Sequence, residues 1–209
     1  MMIQGLYAIT PSGLEENDLL TKTEVLLKEG IKLIQYRDKI LDKKTLQEKA
    51  HALLKLTKKY GAKLVINDHV EICLEISADG FHLGLEDYSS KGNVELLKKN
   101  KEFISKNLIC GLSCKWNKEL VANPPENEIK WTYLAVGSFY SSNTKSTIPE
   151  TNESVKRKFL SYTDKPLVAI GGINKKNIGE VKSLGYSCFA LSEALFKYPQ
   201  HVLNEYKRL

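Results

Sequence analysis

Short apolar runs alternate with longer amphipathic, Lys/Glu-rich segments along the chain. From the N-terminus the runs are Leu6–Thr10, Leu33–Arg37, Leu64–Asn67, Gly80–Gly84, Leu108–Ser113, Trp131–Gly137, Pro166–Gly172 and Cys188–Ser192. Each is short, β-branched or aromatic, and most end in a turn former or a polar residue, which predicts eight strands. Between them, Asp18–Gly30 and Lys44–Gly61 carry an apolar stripe at helical spacing and stop at glycine. Asn174–Gly185 repeats that design more briefly, and Ser192 leads into a last helix through Glu193-Ala-Leu-Phe. The Asn67–Gly80 link has room for a helix of about two turns. The segment Asn123–Glu128 reads as a loop.

The strands are continuously apolar rather than alternating, which implies a parallel sheet covered by helices. Eight such units predict a compact (β/α)8 TIM barrel of class α/β, occupying residues 1–209 as a single domain. An open doubly wound sheet is the structural alternative. No Pro-, Gly- or Ser-rich linker divides the chain.

Hydrophobic residues make up 42% and charged residues 27% of the 209, which excludes disordered, collagenous and coiled-coil classes. The net charge of +6 is compatible with nucleic acid or with a small polyanion, and composition does not choose. Trp116, Trp131 and the tyrosines have no spacing that suggests base stacking, so no nucleic-acid partner is expected. No apolar stretch is long enough to span a bilayer. Met1-Met2-Ile3-Gln4 lacks the basic flank and apolar run of a signal peptide, so a cytoplasmic location is expected. The four cysteines, Cys73, Cys110, Cys114 and Cys188, fit neither a disulfide framework nor a zinc site and read as buried thiols.

What changes the picture is where the polar residues fall. In a barrel, chemistry sits at the C-terminal ends of the strands. Here those ends carry Gln35-Tyr36-Arg37-Asp38-Lys39, Asn67-Asp68-His69, Gly84-Leu85-Glu86-Asp87, Ser113, Ser141–Lys145, Gly171-Gly172 and Ser192. Arg37, Lys39 and Lys145 are each an ordinary surface cation when taken singly. Their coincidence at one mouth points to phosphate or diphosphate. Asp68 and Asp87 offer two carboxylates from adjacent strand ends, suited to one Mg²⁺ completed by phosphate oxygens and water. Helix capping is the alternative use of both. Gly171-Gly172 and Ser192 match the phosphate site that barrels build after strands seven and eight. Ser142 and Thr144 add hydroxyl donors from the neighbouring loop. His82 reads as a packed core residue and His51 and His201 as surface residues, while His69 is placed to approach a ligand.

No Ser/His/Asp or Cys/His arrangement, P-loop or dinucleotide-binding turn is present. A barrel with two anion sites, one metal-assisted, and no nucleophile fits a particular reaction type. One substrate's diphosphate leaves, and a second, phosphorylated substrate attacks.

Gly5–Thr10, Gln35–Lys39, Val65–Asp68, Gly80–Asp87, Gly111–Ser113, Val136–Phe139, Thr144-Lys145, Ala169–Ile173 and Ala190–Ser192 occur in order. Together they resemble the thiamine-phosphate synthase (thiamine-phosphate pyrophosphorylase) family over essentially the whole chain. The resemblance implies an enzyme that joins hydroxymethylpyrimidine diphosphate to a thiazole phosphate, giving thiamine phosphate and diphosphate by a dissociative route. It implies that Gln35, Tyr36, Arg37, Asp38, Lys39, Asn67, Ser113 and Lys145 bind the pyrimidine diphosphate. Arg37, Lys39, Ser113 and Lys145 would carry the catalysis. Asp68 and Asp87 would hold one Mg²⁺ per subunit. Ser142, Asn143, Thr144, Gly172, Leu191 and Ser192 would take the thiazole phosphate. Monomers or homodimers are both compatible with the resemblance.

The chain departs from the family pattern in four places. Thr10-Pro11 stands where Thr-Asp is usual, His69 where Arg is usual, and Leu85 where Gln is usual. Ser141-Ser142-Asn143-Thr144-Lys145 replaces a Pro-Thr-x-Thr-Lys loop, and the lost prolines are expected to loosen it. Two other readings stay open. One is a thiazole tautomerase-like isomerase, a related branch that tends to lose the metal and diphosphate residues. The other is a phosphate-ligand-binding barrel without turnover.

Overall fold

In the computed structural model, which describes residues 3–126, 128–142 and 148–209, the eight apolar runs become strands β1 (Gly5–Ile9), β2 (Leu33–Tyr36), β3 (Lys63–Asn67), β4 (Gly80–Leu83), β5 (Ile109–Ser113), β6 (Tyr133–Val136), β7 (Leu167–Ile170) and β8 (Cys188–Leu191). They pair in parallel, in sequence order, and close into a barrel through β8 and β1, with Tyr7 opposite both Leu33 and Ala190. The open-sheet alternative is thereby excluded.

Closure gives each strand two different apolar surroundings. Tyr7, Ile9, Leu33, Val65, Tyr133, Ala135, Val168, Cys188 and Ala190 pack together inside the barrel. Their alternate neighbours, such as Leu6, Ile34, Leu64, Phe81, Leu112, Leu134 and Phe189, pack against the helices outside. Both faces are mostly apolar, so the sequence shows little polar alternation although the side chains alternate strictly.

Helices α1 (Glu16–Lys28), α2 (Lys43–Lys59) and α3 (Val70–Ile76) follow the first three strands. Asp42 caps α2 by accepting from the Thr45 N–H at 3.1 Å. The β4–β5 connection breaks into α4 (Leu85–Ser89), α5 (Lys91–Lys99) and α6 (Lys101–Asn107). There Ser90 ends one helix and caps the next. The remaining helices are α7 (Lys118–Ala122), α8 (Glu153–Lys158), α9 (Ile178–Ser183), α10 (Glu193–Lys197) and α11 (Pro199–Arg208). Among the described residues, no helix is long and apolar enough to cross a membrane.

Helix α9 starts four residues later than its periodicity predicts. Asn174 Nδ2 and Asn177 Nδ2 donate to the Gly172 carbonyl at 3.0 and 3.1 Å, and Asn174 N–H donates to Asn177 Oδ1 at 2.8 Å. These side-chain bonds compete with a helical turn and instead fix the backbone after β7.

All four cysteines are buried and unpaired, and burial pushes the Cys110, Cys114 and Cys188 thiols up to about 12. They behave as small core hydrophobes.

Candidate active site

The C-terminal mouth of the barrel opens into a cavity of about 560 Å³ to which every strand contributes. Ile9 comes from β1, Gln35 and Arg37 from the end of β2, Asn67 from β3, His82 from β4, and Ser113 and Lys115 from the end of β5. Gly137, Ser138, Ser141 and Ser142 follow β6, Ile170 to Asn174 close β7, and Ala190 to Ala194 close β8. Ile9, Ile170 and Ala190 give it a partly apolar floor beside buried Gln35 and His82, and its rim is polar. Among the described lining residues the cations are Arg37 and Lys115, and the one carboxylate is Glu193.

Arg37 is held by its main chain. Thr10 Oγ1 accepts from the Arg37 N–H at 2.9 Å and donates to the Arg37 carbonyl at 3.1 Å. The neighbouring Asp38 is buried, and its carboxylate accepts from the Gly13 N–H at 2.9 Å and the Ile40 N–H at 3.0 Å. It ties the turn after β1 to the turn after β2 and does not line the cavity. Tyr36 does not line the cavity either. Strand alternation turns it into the outer layer with α-helical neighbours, where its hydroxyl is buried without a partner among the described residues.

Lys39 and the two aspartates sit beside the cavity rather than on its wall. Lys39 Nζ lies 3.2 Å from Asp68 Oδ2. Asp68 has a left-handed backbone, φ +65°, which turns the chain sharply after β3. The Asp87 carboxyl, on α4, is pushed up from its ordinary value by partial burial and by the Asp68 carboxylate beside it. A Cβ on Gly84 would stand 2.9 Å from Asp87 Oδ2, so glycine there leaves the carboxylate its space. Neither aspartate is a helix N-cap: His69 occupies that position on α3 and Gly84 on α4. His69 pairs with Glu71 at 3.4 Å and is absent from the cavity wall. Leu85 is 44% exposed on the outer surface of α4.

On the opposite side, Gly171 and Gly172 have φ of +103° and +66°. A Cβ at Gly172 would lie 2.6 Å from the Ser141 carbonyl oxygen and 2.7 Å from that of Tyr140. The glycine pair therefore lets the chains after β6 and β7 touch. The root of the β6–α8 loop is pinned further by the Tyr140 N–H on the Gly171 carbonyl at 3.0 Å. Trp116 Nε1 donates to the Ser138 carbonyl at 2.9 Å. Ser142 lines the cavity, whereas Asn143, Thr144 and Lys145 lie outside the described residues. Ser192 precedes the five-residue α10, makes no side-chain capping bond to it and lines the cavity. Leu191 packs its side chain in the outer layer and contributes to the wall from the strand end.

The sequence reading missed His82, Lys115, Ser138 and Asn174 as lining residues. His82 is buried as expected, yet it faces the cavity and its Nδ1 lies 3.0 Å from the Tyr133 hydroxyl. Its position between outward-facing Phe81 and Leu83 is the signal that places it inside. Lys115 carries φ +53° in the turn after β5, and no sequence pattern announces it.

The family model described as thiamine monophosphate synthase matches residues 6–195. The chain belongs to the thiamine monophosphate synthase family. It is 37% identical to the thiamine-phosphate synthase of Nitrosospira multiformis over 196 residues, covering 93% of this chain and 79% of that protein. It is 35% identical to that of Caldicellulosiruptor saccharolyticus over 190 residues, covering 90% and 80%. Among solved structures, thiamine phosphate pyrophosphorylase from Pyrococcus furiosus superposes with a TM-score of 0.74 at 28% identity, covering 98% of this chain and 96% of that one. Family membership makes the chain a transferase of thiamine biosynthesis.

Proposed function

We propose that the cavity holds a pyrimidine diphosphate and a thiazole phosphate together and joins them, releasing diphosphate and leaving thiamine phosphate. The observation that carries this reading is the division of one cavity between two polar walls. Arg37, Asn67 and Ser113 stand on one wall, with Lys39, Asp68 and Asp87 beside them. Ser142, Gly172 and Ser192 stand on the other, across a partly apolar floor. Such a floor suits flat heterocycles, and the two walls suit their anionic ends.

The donor set beside β3 and β4 fits a hard divalent cation. Asp68 and Asp87 bring two carboxylates together, and partial burial, with the Asp68 charge beside it, raises Asp87. Two carboxylates are the share a protein usually gives Mg²⁺, the remainder coming from phosphate and water. When bound, Mg²⁺ supplies charge neutralisation for the departing diphosphate. Arg37 and Lys39 add fixed positive charge on the same side, and Ser113 adds a hydroxyl donor.

Departure of diphosphate leaves a pyrimidine methylene cation, which the thiazole nitrogen captures, so no protein nucleophile takes part. The chain's own contribution is orientation of the two rings and exclusion of water from the floor. Lys145 would join the diphosphate side, and Asn143 and Thr144 the thiazole phosphate side.

Incubating the purified protein with both substrates and Mg²⁺ tests this. Thiamine phosphate and diphosphate appear in equal amounts if it holds. Isomerised thiazole phosphate formed without the pyrimidine substrate would install the tautomerase reading instead.

A further inference from the structure

At the base of the cavity and just beneath it, four polar side chains from four strands meet inside the barrel. Gln35 Nε2 lies 3.0 Å from the Tyr7 hydroxyl, Tyr7 and Tyr133 hydroxyls are 2.9 Å apart, and the Tyr133 hydroxyl is 3.0 Å from His82 Nδ1. Gln35 and His82 line the cavity, and the two tyrosines lie beneath them, almost wholly inaccessible. We infer that Tyr133 is a positioning residue of the pyrimidine subsite, its hydroxyl coupling the amide of Gln35 to the imidazole of His82 through Tyr7. This rests on the reading that the cavity takes an aminopyrimidine.

The barrel is built around this chain of bonds. His82, Gly111 and Tyr133 are register partners on β4, β5 and β6. A Cβ on Gly111 would stand 2.2 Å from Tyr133 Cζ and 2.5 Å from His82 Nδ1. Glycine at that position lets the two rings stack across β5, with centroids 5.6 Å apart and planes 14° from parallel.

Proton bookkeeping gives the chain a direction. Burial raises the ionisation of both tyrosines well above the ordinary value, so each keeps one proton to donate. Tyr7 oxygen accepts from Gln35 Nε2, and its own proton has the Tyr133 oxygen as acceptor. The Tyr133 proton is then directed to His82 Nδ1. In that direction His82 carries its proton on Nε2, and Gln35 turns its Oε1 acceptor to the cavity it lines. That acceptor is complementary to an exocyclic amino group. Reversing the chain requires the Gln35 amide to turn over and the His82 proton to move to Nδ1 together, so the two cavity groups change state only in concert.

The test pairs spectroscopy with kinetics on the full chain. In protein labelled with ¹⁵N-histidine, His82 is expected to carry its proton on Nε2 with an unprotonated, hydrogen-bonded Nδ1. Tyr133→Phe is expected to abolish that single tautomer and raise KM for the pyrimidine diphosphate about five- to tenfold, leaving KM for thiazole phosphate unchanged. Tyr7→Phe is expected to raise the same KM while the His82 tautomer persists. A proton on Nδ1 in the unmodified protein, or a rise in both KM values alike, would overturn the proposal. Should Tyr133→Phe not fold, the tautomer of the unmodified protein and Tyr7→Phe still decide it. Absence of thiamine phosphate formation by the unmodified protein would contradict the functional reading alone, because the tautomer is measured without substrate.

Discussion

The Lys39 ammonium stands 3.2 Å from Asp68 Oδ2, joining a cation proposed for the diphosphate to a carboxylate proposed for the metal. The lysine side chain is 54% exposed, so the pair contributes little stability and costs little to separate. Arrival of a metal-bound diphosphate would give both groups better partners. In the meantime Lys39 offsets part of the negative charge that Asp68 and Asp87 concentrate at one edge of the mouth.

Asp87→Asn removes one of those charges while keeping the shape. It is expected to lower turnover by roughly a hundredfold and to raise the Mg²⁺ concentration needed for half-maximal rate. Steady-state rates across a Mg²⁺ titration check this. An unchanged Mg²⁺ dependence would remove Asp87 from the metal site.

Gly172→Ala sets a Cβ against the Tyr140 and Ser141 carbonyls at a backbone φ of +66°. The expected cost is about 1–3 kcal/mol of stability, read by thermal denaturation. KM for thiazole phosphate should rise while that for the pyrimidine diphosphate stays put. The opposite pattern would move the glycine pair to the other subsite.

Asp38→Ala leaves the Gly13 and Ile40 N–H groups without their acceptor in a buried turn. A loss of about 2–3 kcal/mol in urea denaturation is expected. Because Arg37 is adjacent, the affinity for pyrimidine diphosphate should fall as well. A stability loss below a few tenths of a kcal/mol would show that the turns do not depend on this carboxylate.

Glu24, on α1, is held down to about 2 by the Tyr60 hydroxyl at 2.6 Å and by Lys59, against an ordinary value of 4.5. A depressed carboxyl stabilises the fold above the ordinary value and loses that contribution as pH falls towards 2. Tyr60→Phe should therefore melt below the unmodified protein at pH 6, with the difference shrinking on acidification. A difference that grows at low pH would contradict the assignment.

Strand number, order and barrel class were legible because eight apolar runs must each be covered on both faces. The inside and outside of each strand were not, since both faces are mostly apolar and nothing in Leu33–Tyr36 marks Gln35 as inward and Tyr36 as outward. That ambiguity explains why Gln35 and Tyr36 are expected together at the substrate although only Gln35 lines the cavity. The backbone bonds of Asp38 are hidden for a different reason, since a carboxylate at a strand end looks alike whether it faces a ligand or two backbone N–H groups. The late start of α9 depended on Asn174 and Asn177 bonding to Gly172, a tertiary detail that helical periodicity does not encode. Arg37, Asn67, Ser113, Ser142, Gly172 and Ser192, in contrast, were legible from strand-end position alone and meet in one cavity.

The central claim is that one cavity couples two substrates, and diphosphate release measures this most directly. With purified protein and Mg²⁺, rapid release is expected only when pyrimidine diphosphate and thiazole phosphate are both present, with one thiamine phosphate formed per diphosphate. Release at the same rate from the pyrimidine diphosphate alone, or no release with both present, would contradict the account.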